Sequence, residues 1–165
     1  MTFADIFCDG APIGLFRTGT GYRDAICSIF DRFNRQWLAN AGSCGAGYVP
    51  EIQWQGVEKD TEPDPAKFWV RVSNATILED QESLRGPLTT RYQTDGIVLC
   101  QLYCPKTEAG ITIGRCLARV ARDIFRGLRI SASIKFINPR IIELDPEDKL
   151  YRFDVVIRYE YFEIV

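Results

Sequence analysis

The sequence predicts an α+β fold: a sheet of four to five strands, antiparallel or mixed at most, with two amphipathic helices packed on one face. Two stretches carry apolar residues at helical spacing, several others alternate with a period of two, and the links between most strands are of hairpin length. The length of 165 residues suits one ordinary domain and allows a core large enough to fold without staples. Hydrophobic residues at 46% and charged residues at 25% are those of an ordered globular chain.

Residues 1–21 place Gly10, Pro12, Gly14, Gly19 and Gly21 among scattered apolar residues with no sustained period, which reads as an irregular N-terminal arm before a single domain at 22–165. The first helix is expected from about 22 to 38. Tyr22, Ile26, Ile29, Phe30, Phe33 and Trp37 share its apolar stripe, and Arg23, Arg32 and Arg35 fall mostly opposite. The run NAGSCGAG at 40–47 reads as a flexible connection, because its glycines leave the backbone too free to continue a helix. A short strand is expected near Glu51–Gln55, then a loop through EKDTEPDP, where Pro63 and Pro65 remove backbone donors.

Lys67–Ile77 alternates Phe68, Val70 and Val72 with Trp69, Arg71 and Ser73, as a strand does. Glu79–Thr89 is charged and broken by Gly86 and Pro87, so it is expected to be an exposed excursion into the next strand, Arg91–Tyr103, which ends at Pro105. The second helix begins near Ile111, with Ile113, Cys116, Leu117, Val120, Ala121, Ile124, Phe125 and Leu128 at helical spacing and Gly127 as a terminator. Two strands follow, Ile130–Leu144 and Leu150–Ile164, joined by DPEDK. Asn138 and Pro139 mark an edge or a bulge in the former. In the latter, Tyr151, Phe153, Val155, Ile157, Tyr159 and Tyr161 oppose Arg152, Asp154, Arg158 and Glu160, the pattern of a sheet with one covered face.

The chemistry this sequence can carry is narrow. It has no histidine, which removes the commonest general base and the usual nitrogen ligand of zinc. Its six cysteines are irregularly spaced and read as unbridged cytosolic thiols filling a core; Cys100 and Cys104, four apart on a strand, stand about 13 Å from one another, too far for one ion. The glycine runs at 18–22 and 42–47 lack the lysine and hydroxyl of a phosphate loop. Asp60, Glu62 and Asp64, like Asp145, Glu147 and Asp148, read as solvated turns. No stretch approaches the ~20 apolar residues of a membrane span, and a net charge of −2 gives no bulk attraction to nucleic acid. The expectation is therefore a non-enzyme without metal or cofactor, soluble and unexported.

Two local features point to contacts. Arg115, Arg119, Arg122 and Arg126 line one helix face opposite the apolar stripe, with only Asp123 nearby, and are candidates for meeting phosphate or an acidic neighbour. The excursion, with Glu79, Asp80, Glu82 and Arg85, and Arg91 at the start of the next strand, is a candidate contact loop between subunits or onto a tube.

The order of these segments resembles the tail-terminator or tail-completion family of long-tailed bacteriophages and prophages, the minor tail protein U-like proteins. The resemblance covers roughly residues 22–165. It rests on a helix ending at RFNRQW, a strand after VPEIQWQGV, the strand PDPAKFWVRVS, a polar link into TRYQTDGIVLCQLYCPKTEAGI, the helix RCLARVARDIF and the closing RFDVVIRYEYFE. It implies a virion structural protein that assembles in the host cytoplasm as a ring of sister copies, usually six. Such a ring stacks on the tail tube protein at the head-proximal end, stops tube growth and offers a surface to the head-tail connector protein, with non-specific contact to DNA in the channel. The N-terminal arm and the NAGSCGAG run depart from the family pattern. Two other readings stand beside this one: another neck or head-completion protein, and a small-molecule-binding α+β module or enzyme using Tyr92, Tyr103 or Cys100 in a pocket.

Overall fold

Alternation of apolar and polar residues over long stretches forces one strand face inward and leaves the other outward. The computed structural model describes residues 22–57, 63–83, 90–130, 132–146 and 149–164. Helix α1 spans Tyr22–Asn40 and runs into a 3-10 turn at Ala41–Cys44. Strands β1 (Glu51–Trp54), β2 (Trp69–Ser83) and β3 (Arg91–Pro105) follow, then helix α2 (Gly110–Asp123), β4 (Ile134–Glu143) and β5 (Leu150–Ile164). The expected arm at 1–21 lies outside the described residues, as do Asp60, Glu62, Glu147, Asp148 and Arg85.

The five strands form one mixed sheet in the order β1-β2-β3-β5-β4. β2 with β3, β3 with β5 and β4 with β5 are antiparallel, but β1 runs parallel to β2 with Glu51 opposite Trp69. The expectation of antiparallel neighbours fails at this one pair. Fourteen residues, 55–68, separate β1 from β2, and a link of about a dozen residues is long enough for the chain to return and start again in the same direction.

The expected excursion at 79–89 is also corrected in its first half. β2 continues through Glu79, Asp80 and Gln81 to Ser83, paired with Thr94, Gln93, Tyr92 and Arg91, so these residues belong to a long hairpin and not to a loop. A bulge lies between Thr76 and Leu78. The strand expected from Ile130 begins only at Ile134. Asn138, at a φ of 47°, and Pro139 make a bulge in β4, an edge strand that can do without Pro139's missing amide.

Register puts Val70, Val72, Val98, Cys100, Leu102, Phe153, Val155, Ile157, Tyr159 and Tyr161 on one sheet face, and all are buried. The same core contains Ile29, Phe33 and Trp37 of α1, Leu117, Ala118 and Ala121 of α2, and Phe125 just beyond it. Aromatic rings link the parts: Phe33 lies 6.3 Å from Phe125, which lies 4.7 Å from Phe136 of β4. The Trp37 indole N–H donates to the Pro50 carbonyl at 2.8 Å, so the largest ring of α1 is buried with its polar atom satisfied. At Gly114 a Cβ would come within 2.6 Å of Phe153 and 2.7 Å of the Cys104 sulfur; the missing side chain lets α2 lie against β3 and β5.

NAGSCGAG is not a free connection. Ala41 and Cys44 are buried in the 3-10 turn, the chain leaves it through Gly45 at a φ of 97°, and Cys44 is disulfide-bonded to Cys116 of α2. This overturns the reading of all six cysteines as thiols. Cys100 and Cys104 are free and buried, and Cys27 is half-buried. Among the described residues no helix is long and apolar enough to cross a membrane.

Candidate binding surfaces

The arginine stripe is smaller than its spacing implied. α2 buries Leu117, Ala118 and Ala121 and turns Arg115 and Arg119 outward, with side chains 57% and 75% exposed, while that of Arg122 is only 27% exposed. The helix ends at Asp123, so Arg126 sits in the following turn and does not extend the row.

Nor is Asp123 the row's sole acidic neighbour. Arg115 grips Glu143 at the end of β4 with both fork nitrogens, Nε to Oε1 at 2.9 Å and Nη2 to Oε2 at 3.1 Å. That two-point bond holds the Glu143 carboxyl below its ordinary range and raises the Arg115 guanidinium. Arg122 donates to Asp123 at 2.8 Å, and Arg119 reaches the same carboxylate at 3.7 Å.

Between α1 and α2, Arg115, Arg119 and Asp123 form one wall of a cleft of about 600 Å³. From α1 come Arg32, Gln36 and Asn40, spaced four apart and therefore on one helix side; the 3-10 turn adds Ser43, and α2 adds Arg115 and Arg119. The disulfide partner Cys116 also lines it, so the bond fixes the turn carrying Ser43 against α2. The Asn40 side-chain amide donates to the Gln36 carbonyl at 2.8 Å and the Ser43 hydroxyl to the Asn40 carbonyl at 2.7 Å. The Arg32 Nε is buried without a hydrogen-bond partner among the described residues. Sequence reasoning placed Arg32 on the polar side of its helix but gave it no role. Its spacing with Gln36 and Asn40 was the available signal.

The second surface is the sheet face opposite the core. Trp69 and Tyr103, neighbours across β2 and β3, stack with centroids 3.9 Å apart and planes 6° from parallel. Arg152 stands 5.9 Å from the Tyr103 ring and forks onto Asp154 at 3.0 and 3.1 Å, while Arg71 lies 5.7 Å from Trp69. Farther along, the hairpin of β2 and β3 exposes Ile77 at 56% and Leu78 at 51%. Glu79 and Asp80 follow, both exposed, and Arg91 stands across the hairpin with its guanidinium 4.2 Å over Phe162. Glu82 lies within β2, its side chain outside the described residues. Glu79, Asp80, Glu82 and Arg91 thus sit on the paired arm.

The residues named for a pocket enzyme do not converge. Cys100 belongs to the core face and Tyr103, an odd number of residues on, to the opposite one. Tyr92 is eight residues from Cys100 along an extended strand, about 26 Å. Burial pushes the Cys104 thiol up to about 12 and the Cys100 thiol higher still, leaving both protonated and poorly nucleophilic. Among the described residues no group of three or more cysteine, aspartate or glutamate side chains is placed to hold a metal ion.

No family model matches the chain, and no curated protein matches it. One solved structure aligns over 81% of this chain and 93% of its own length at 15% identity, with a TM-score of 0.44. A likeness at that level carries no argument about function.

Proposed function

We propose that this chain is a tail-terminator-type structural protein of a long-tailed phage or prophage, closing the head-proximal end of the tail tube as a ring of sister copies, six in the usual case. In this reading both helices cover one sheet face, and the other face and the β2–β3 arm meet neighbouring subunits, the tube and the connector. The observation that supports it best is the arm. Beyond Val72, where β1 stops, β2 runs on to Ser83 and holds Ile77 and Leu78 more than half exposed beside acidic residues. Exposed apolar side chains on such an arm are what an assembling protein presents and what a solitary one usually blunts. The acidic side chains at Glu79 and Asp80 keep it soluble until a partner covers it.

The order of segments along the chain supports the same reading, and the chain does no chemistry in it. Electron microscopy of tails assembled with and without this protein tests it. Tails made without it should lack a terminal ring and vary in length. Tails of regulated length, closed at the head-proximal end in its absence, would refute the proposal, and co-purification with a head protein alone would move it to the neck.

A further inference from the structure

We propose that the cleft between α1 and α2 is a phosphate-binding site. This goes beyond the ring reading and does not depend on it. Three guanidiniums, from Arg32, Arg115 and Arg119, line a space of about 600 Å³ together with the side chains of Gln36, Asn40 and Ser43. That volume lies within the ~300–1,000 Å³ typical of small-ligand sites and exceeds what one bare ion fills, so the phosphate belongs to a larger molecule.

The decisive residue is Arg32. Its Nε is buried with no acceptor among the described residues while the side chain as a whole is only half-buried, a costly arrangement for a charged donor that a bound oxygen would relieve once the guanidinium turns toward the cleft. The carboxylates nearby are already engaged: Glu143 occupies the fork of Arg115, and Asp123, which also lines the cleft, serves Arg119 and Arg122 and leaves the lining a net excess of positive charge. A carboxylate ligand would fill one fork, as Glu143 already does. A phosphate group offers more acceptor oxygens and up to two charges, enough to engage Arg32 along with the remaining N–H groups of Arg115 and Arg119. The Cys44–Cys116 bond ties the 3-10 turn to α2 between those two arginines, so the donors are held in place before a ligand arrives. A phosphorylated small molecule and a nucleic-acid backbone present the same chemistry to this cleft.

The test is amide NMR titration of the full chain, at matched ionic strength, with pyrophosphate and separately with a short DNA duplex. At least one probe should give saturable shifts at residues 32–43 and 115–120. Arg32→Gln and Arg119→Gln should each weaken it about tenfold, whereas Arg126→Gln, which removes the same charge outside the cleft, should change it less than about twofold. Arg119 is mostly exposed, so its variant carries the test should Arg32→Gln fail to fold. Saturation by pyrophosphate alone identifies a small phosphorylated ligand, and saturation by duplex alone a nucleic-acid backbone. Absence of saturation with both, shifts centred elsewhere, or equal losses in all three variants would overturn the proposal. So would loss of self-association in the two cleft variants without phosphate binding, which would assign the cleft to a carboxylate of a sister copy.

Discussion

Replacing Gly96 with alanine tests the packing on which the sheet depends. Gly96 of β3 lies directly across from Tyr159 of β5, and a Cβ there would stand 2.6 Å from the Cε1 of that ring and closer still to its Cζ and hydroxyl oxygen. Carbon contacts settle near 3.5–4.0 Å, so the ring end must retreat by about 1 Å or more. It has nowhere easy to go. Tyr159 is 1% exposed, and its hydroxyl donates to the Asn74 side chain at 2.7 Å. Overpacking costs about 1–3 kcal/mol and a strained or lost hydrogen bond about 1 kcal/mol, against a gain below about 1 kcal/mol from removing a glycine from a strand. The net is a loss of about 1–3 kcal/mol, or roughly 2–12 °C in midpoint at ~2–4 °C per kcal/mol for a chain of this size. Thermal and urea unfolding followed by circular dichroism, at one protein concentration, would measure it. Tyr159→Leu removes the ring end, so the cost of Gly96→Ala should shrink in that background by about 1 kcal/mol or more. Tyr159→Phe keeps the ring and should not relieve the clash. A Gly96→Ala substitution that is neutral, or as costly in the Tyr159→Leu background as in the parent chain, would refute the reasoning.

Three further outcomes follow from other contacts. Cys44→Ser with Cys116→Ser opens a loop of 72 residues and should lower stability by up to about 4 kcal/mol; a reductant should lower the midpoint of the parent chain and leave the double variant unmoved. Cys100 and Cys104, with their thiols pushed up by burial, should resist alkylation at about pH 8 in the folded chain and react once it is unfolded, which peptide mapping by mass spectrometry reads directly. Glu143, held below its ordinary range by Arg115, favours the folded state fully at pH above that range, and the contribution disappears as pH falls through the lowered value; in Arg115→Gln its carboxyl titration, followed by NMR, should move up to the ordinary range.

What the sequence made legible is what local periodicity encodes. The alternation from Tyr151 to Tyr161 appears as the buried face of β5, the stripe from Ile29 to Trp37 as the inner side of α1, and Asn138–Pro139 as the bulge of β4. Periodicity says nothing of direction, so it could not tell that β1 joins β2 in parallel across a link long enough for either sense. It also misread Glu79 to Ser83. Charge and low apolarity suggested a loop, yet an edge strand needs only one partner and tolerates charges that a central strand would exclude.

The cleft shows the deeper limit. Arg32, Gln36 and Asn40 are an ordinary polar helix side when read alone, and Arg115 with Arg119 is another. Neither row signals a site until the fold sets one against the other. The bond that does so joins cysteines 72 residues apart, and the carboxylate that takes up Arg115 comes from 28 residues away. Both distances lie far outside the three- or four-residue spacing within which helix neighbours can be inferred. The packing that positions α2 is equally non-local, since Gly114 can approach the sheet only because Phe153 and Cys104 leave it the space of a missing Cβ. A site assembled from such long-range pairings is sensitive to the core beneath it: a substitution at Gly114 that lifts α2 should widen the cleft and weaken phosphate binding although it touches none of the arginines.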